Sequence, residues 1–153
     1  MEIEKKLNEL NIVLPPVPKP QANYIPAVYS GHHLYLSGHG PVKNDGTLIF
    51  GRVGEDLNLE EGCYAARQVG LALLATLKNE LGDLDKIKRV VKLLGFVNST
   101  PDFLDQPKVI NGTSDLFVEI FGDKGRHARS ALGTNVLPGN IPVEVEMIVE
   151  LEE

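Results

Sequence analysis

The chain has one cysteine, no tryptophan and no long hydrophobic run, and each shortage narrows what it can be. A lone Cys63 forms no intrachain disulfide and excludes a metal site built from several thiolates. The longest purely apolar stretch, residues 71–75, falls far short of the ~20 residues that span a bilayer. The opening Met1-Glu-Ile-Glu-Lys-Lys6 carries no apolar segment of the secretory kind, so a reducing, cytoplasmic setting is expected. Positive charge is also scarce: 15 Lys and Arg against 21 Asp and Glu leave a net charge of −6. A chain so acidic lacks the general attraction for phosphate backbones on which nucleic-acid binding rests. The basic cluster Lys86, Lys88, Arg89 and Lys92 has no interleaved aromatics, and a solvated face or a partner for salt bridges explains it better.

Several familiar site patterns are missing too. Gly38-His-Gly40 begins like a dinucleotide fingerprint, but Lys43 stands at the third glycine position and no helix follows. Gly122-Asp-Lys-Gly-Arg126 lacks the spacing of a phosphate-binding loop. His32, His33, His39 and His127 show no metal-ligand spacing on a helix. Cys63 lies on an apolar helical stripe and reads as a small core residue.

What is present is one domain of 153 residues with a patterned core. Ile3, Leu7 and Leu10 recur at helical spacing over residues 2–11, and Pro15-Pro-Val-Pro-Lys-Pro20 then forces an extended connector. Residues 1–20 are thus an N-terminal arm and 21–153 the domain proper. Strands are expected over 24–29 and 34–36, with Ser37-Gly-His-Gly-Pro41 breaking the second, and a third over 47–50 after the Asn44-Asp-Gly46 turn. Asn58 and Glu61 form a capping box for a helix whose stripe runs Cys63, Ala66, Gly70, Leu73, Leu77 and Leu81, ending at Gly82. Residues 87–97 are β-branched and apolar on both faces, as in a covered strand. A second helix runs from Pro107 to Gly122 with Val109, Thr113, Leu116, Phe117 and Ile120 inward. Residues 129–137 and 142–151 are expected to form a hairpin around Pro138-Gly-Asn140. The predicted order is β-β-β-α-β-α-β-β, an α+β fold with two helices on one face of a mixed sheet. The other face must be covered by something else, and self-association is the expected answer.

The segment Gly125-Arg-His-Ala-Arg-Ser130 stands out chemically. Arg129 falls at a strand entrance, where its planar fork can grip a carboxylate through two parallel hydrogen bonds. Glu144 would lie near it across the expected hairpin. Taken alone, Glu144 reads better as a solvated strand glutamate, because Glu146 and Glu150 share its pattern.

Ser37-Gly-His-Gly-Pro-Val42, Asn111, Ala128-Arg-Ser130 and Leu137-Pro with Val143-Glu-Val-Glu146 together resemble the Rid family, also called YjgF/YER057c/UK114. The likeness runs from about Tyr24 to the C-terminus, and the arm and loops are similar to longer members labelled endoribonuclease L-PSP-like. The resemblance implies a chorismate-mutase-like fold, a homotrimer with clefts between subunits, and hydrolysis of small 2-imino acids to 2-oxo acids and ammonia. It implies roles for Arg129 as carboxylate anchor and Glu144 as acid–base group. It further implies a pocket of Tyr24, Ser37, Gly38, His39, Asn111, His127 and Ala131. No metal or organic cofactor is implied, since an iminium is already a strong electrophile. Two positions depart from the archetypes: Ala131 stands where they carry cysteine, and His39 where many carry glutamine. A non-catalytic carboxylate-binding protein and, less favoured, a ribonuclease are the alternatives.

Overall fold

The computed structural model describes residues 1–17, 19 and 22–153. The extended connector expected over 15–20 therefore falls partly on Pro18 and Pro20, which with Gln21 lie outside the described residues. The elements run α1 (Glu2–Glu9), β1 (Ala27–Ser30), β2 (His33–His39), α2 (Leu59–Leu81), β3 (Ile87–Asn98), α3 (Gln106–Phe121), β4 (Ala128–Thr134) and β5 (Val143–Leu151). One five-stranded sheet has the order β1-β2-β5-β3-β4, antiparallel throughout except for the parallel pair β3–β4.

The local signals for the helices act as expected. Asn58 accepts from the Glu61 amide at 2.8 Å, and Glu61 reaches back to the Asn58 amide at 3.1 Å, so the capping box closes α2. Gly82, at φ 74, ends it in a conformation that side chains disfavour. Pro107 stands in the first turn of α3 and Gly122 is its C-cap. Both helices lie on one face of the sheet, over a core that includes Leu34, Val69, Leu73, Leu77, Leu93, Leu116, Phe117 and Met147. The arm packs on the same core through Leu7, and Lys78 binds Glu4 at 2.6 Å.

Two expectations about strands are corrected. Residues 47–50 add no strand to the sheet; Leu48 makes only an isolated bridge to Val42. Nor do the last two strands form a hairpin. β4 pairs with β3 in parallel, as the α3 crossover between them permits, and β5 pairs with the opposite edge of β3. An apolar β3 satisfies its backbone only with a neighbour on each side. Residues 135–142 accordingly carry the chain past the end of β3, across roughly 10 Å or two strand spacings. The observed order is therefore α-β-β-α-β-α-β-β, still α+β with two helices over one face.

β2 also runs further than expected. It continues through Ser37 and Gly38 to His39, with Leu36 opposite Met147 and His39 opposite Val145. Three steps on one strand match two on the other, so Ser37-Gly38 form a bulge rather than a break. Bulges of this kind re-aim side chains and backbone beside sites.

The second sheet face carries no helix. Phe96, Leu132 and Glu144 occupy one row across it, Leu94, Ser130 and Glu146 the next. Val28, Tyr35 and Leu132 there are about half exposed, at 50%, 46% and 49%. A face so apolar is suited to burial against another surface.

Candidate active site

The nine residues singled out from sequence fall into two groups, one around the β2 bulge and one where β4 meets α3. The first group surrounds the bulge. Tyr24, Ser37, Gly38, His39 and Glu144 line a cavity of about 550 Å³, together with Pro26, Ile141 and Gly139. Ser37 is fixed by its amide on Pro26 O at 2.9 Å and by its hydroxyl on Ile25 O at 2.8 Å. Gly38 has a steric reason to be glycine: a Cβ there would sit 2.9 Å from Glu144 Oε2, so the missing side chain makes room for the carboxylate.

Glu144 is half-buried and has no hydrogen-bond or ionic partner among the described residues. Burial pushes its carboxyl above the ordinary carboxylate range, and the nearby negative charge of Glu146 adds to the rise. A carboxylate moved toward neutrality is a better general base than an ordinary one.

His39 is 4% exposed and does not offer a donor to the cavity. Its Nδ1 donates to Ser37 O at 2.6 Å, and its Nε2 accepts from the Thr76 hydroxyl of α2 at 2.7 Å. Burial holds its pKa below the usual histidine value, so the ring is a neutral prop for the bulge.

The second group gathers where β4 meets α3. Leu93, the register partner of Arg129, points into the core, so Arg129 projects to the helix side of the sheet. There its Nη1 donates to Asn111 Oδ1 at 2.8 Å and to Ser114 Oγ at 3.1 Å, while Nη2 donates to Pro107 O at 3.2 Å. No carboxylate pairs with Arg129 among the described residues. The guanidinium is oriented by neutral acceptors, which leave its charge unneutralised. His127 stands behind it, with Nε2 2.8 Å from Ser114 Oγ and Nδ1 2.6 Å from Gly125 O. Ala131 lies two residues along the same side of β4, opposite Gly95. Its methyl leaves that side of the strand without a polar atom.

Sequence inspection did not pick out Ser114 or Thr76. The spacing of Ser114 was available: three residues after Asn111, it shares that residue's helical face. Thr76 had no such signal, because it answers to a histidine 37 residues away.

The description of a known family, YjgF/chorismate mutase-like with the designation "putative endoribonuclease", matches residues 4–151. The chain belongs to this family. Relatives within reach are close: "Protein TCP17" of Trypanosoma cruzi is 44% identical over 150 residues, which cover 97% of this chain and 94% of that protein. Protein Atu1372 of Agrobacterium tumefaciens superposes with a TM-score of 0.90 at 43% identity, covering 99% of this chain and 93% of that one. A Shewanella oneidensis protein carrying the same endoribonuclease designation superposes at 0.95 with 35% identity, over 99% and 100% of the two chains. RidA of an Antarctic Psychrobacter, at 24% identity and a TM-score of 0.63, shares the fold. The family match takes in the arm from residue 4 onward, and the chain follows the Atu1372 and Shewanella structures over nearly their full length. Among the described residues, no helix is long and apolar enough to cross a membrane.

Proposed function

We propose that the protein hydrolyses small 2-imino acids, of the 2-iminobutanoate and 2-iminopropanoate kind, to 2-oxo acids and ammonia. The site would lie between two copies of the chain in a homotrimer. The observation that carries this reading is Arg129, a guanidinium aligned by Asn111, Ser114 and Pro107 O with no acidic partner among the described residues. A positive charge positioned this way suits an anion with two parallel oxygens. Glu144 and the Ser37-Gly38 bulge lie on the opposite sheet face, so one chain holds the anchor or the base but cannot bring them together.

In the proposed reaction Arg129 of one copy holds the substrate carboxylate, and Glu144 of a second copy faces C2. Glu144 takes a proton from water as the water oxygen bonds to C2, and the π electrons of C=N move to nitrogen. The resulting carbinolamine receives that proton on nitrogen. The C–N bond then breaks, ammonia leaves, and the hydroxyl proton is lost as the carbonyl forms. Water is the only co-reactant. Because the iminium is already electrophilic, alignment supplies most of what is needed.

A carboxylate-binding protein without turnover is favoured by one feature: Ala131 leaves the strand beside Arg129 without a polar atom. The endoribonuclease designation of the relatives fits less well. Both nitrogens of His39 and of His127 are committed to internal hydrogen bonds, which leaves neither ring available to move protons on a nucleotide.

The test supplies imino acids from an amino-acid oxidase and follows 2-oxo acid formation. Arg129→Ala should lose a desolvated charge contact of roughly 2–5 kcal/mol, lowering the rate by about two to three orders of magnitude. Unchanged hydrolysis in that variant sinks the proposal. Binding of 2-oxobutanoate without any acceleration of imine hydrolysis selects the binding protein instead.

A further inference from the structure

His127 touches neither face of the open cavity, yet its hydrogen bonds lead to Arg129. The direction of each bond in this chain is forced by chemistry. Arg129 Nη1 can only donate, so Ser114 Oγ accepts from it across 3.1 Å. Gly125 O can only accept, so His127 Nδ1 carries a hydrogen and donates across 2.6 Å. A neutral ring then has Nε2 bare, and the single Ser114 hydroxyl hydrogen must point at it across 2.8 Å. The sequence of donations is Arg129 to Ser114, Ser114 to His127, and His127 to the backbone.

We propose that Ser114 and His127 are positioning residues for Arg129: the bare Nε2 of His127 draws the Ser114 hydrogen away, so that the Ser114 lone pairs face Arg129 and fix the fork that receives the substrate carboxylate. This rests on the assignment of Arg129 as the carboxylate anchor. Without an acceptor at His127, the Ser114 hydrogen is free to turn toward Asn111 Oδ1, which Arg129 also uses. The guanidinium would then lose its second fixed point and rotate about its stem.

The surroundings keep the ring in the required form. Phe117 stands edge-on to it, with ring centroids 6.5 Å apart. The charged groups on the elements around it are Arg129 on β4, Lys88, Arg89 and Lys92 on β3, Lys108, Asp115 and Glu119 on α3, and Asp123, Lys124 and Arg126 in the intervening turn. Of these, Arg129 is the one whose charge acts on the ring, and it opposes protonation. Burial acts in the same direction and outweighs the opposing hydrogen bond to Gly125 O, so the neutral ring is favoured.

Four variants and one spectrum decide the matter. His127→Leu keeps the bulk but offers no acceptor, and Ser114→Ala removes the link. Each should raise KM for the imino acid about tenfold with a smaller change in kcat, as expected when a carboxylate contact loses its alignment. His127→Gln supplies a neutral acceptor through its amide oxygen and should return KM to within about threefold of wild type. Arg129→Ala is the reference for complete loss of the anchor. Equal KM in the Leu, Gln and wild-type proteins overturns the relay while leaving the anchor intact. If no imino acid is turned over, affinity for 2-oxobutanoate replaces KM in the same series. If that acid does not bind either, the deaminase reading has failed and nitrogen NMR still decides the relay. Ring shifts of the Nδ1–H tautomer and slow rotation of the Arg129 guanidinium, faster in Ser114→Ala, support it; an Nε2–H tautomer overturns it.

Discussion

Arg129 and Glu144 stand on opposite faces of one sheet, with β3 between their strands. Arg129 is the register partner of Leu93, which faces the helices, whereas Glu144 is the partner of Phe96 on the bare face. If Arg129 is the anchor and Glu144 the base, as proposed, the two must come together from different chains.

This separation makes a genetic mixing test decisive. Arg129→Ala and Glu144→Gln chains should each be inactive when made alone. Assembled together in equal amounts, they should recover about one quarter of wild-type activity, because one interface in four draws Arg129 and Glu144 from intact donors in a closed ring. A site contained within one chain predicts no recovery, since every chain then carries a lesion.

How much of this was visible beforehand depended on the range of each interaction. Capping by Asn58 and Glu61, the stops at Gly82 and Gly122, and the alternation of Val143, Val145 and Met147 are local, and they were legible. The hairpin expectation fails because strand pairing is a competition. Pro138-Gly-Asn140 is a good turn, but β3 offers two apolar edges, and a turn motif does not reveal that both are taken. The bulge at Ser37-Gly38 looked like the end of a strand because glycine is poor at filling one. Its glycine leaves room for Glu144, whose Oε2 would lie 2.9 Å from a Cβ at Gly38. Arg129 could be recognised as a free cation at a strand entrance. His39 and His127 read as pocket residues, and their internal hydrogen bonds are not legible, since the hydroxyls that hold them, Thr76 and Ser114, come from other elements.

Glu144 predicts a pH dependence with a definite sign. Its folded-state pKa is raised, so the folded protein binds this proton more readily than the unfolded chain. Below both pKa values the group contributes nothing. As pH rises from the unfolded value to the folded one, the cost of ionising the buried carboxylate grows, and it is complete above the folded value. Glu144→Gln should therefore raise Tm at pH 7 to 8, and the gain should vanish in acid. In the wild-type protein, imine hydrolysis should fall on the acid side as Glu144 takes up its proton. A Tm advantage that persists undiminished into acid would show that the substitution works through packing and not through this charge.

The helix-free face gives a prediction about assembly. Val28 and Leu132 lie near opposite edges of the sheet and are both about half exposed, so apolar side chains are open to solvent at both edges of this face. Leu132→Asp would place a charge in the middle of any interface that buries Phe96, at a cost of several kcal/mol unless it finds a partner. Light scattering should then report monomers at micromolar concentration, with imine hydrolysis lost although Arg129 and Glu144 are untouched. An assembled Leu132→Asp protein would mean that this face is not the one that associates.

The contact between the two helices offers the sharpest test of what holds the anchor in place. Gly112 follows Asn111 on α3, and a Cβ there would collide with the backbone carbonyl of Cys63 and come within 3.0 Å of the Arg67 nitrogen on α2. These are main-chain atoms, so no rotamer change relieves the clash and the helices must part. Alanine gains up to about 1 kcal/mol in helix propensity, while overpacking costs about 1–3 kcal/mol and more where backbone must move. Gly112→Ala should thus lower Tm by several degrees for a domain of this size, at ~2–4 °C per kcal/mol. It should also raise KM for the imino acid, because Asn111 and Ser114 ride on the displaced helix and carry two of the three acceptors that aim Arg129. Melting and KM that both stay at wild-type values would show that α3 sits further from α2 than this packing allows.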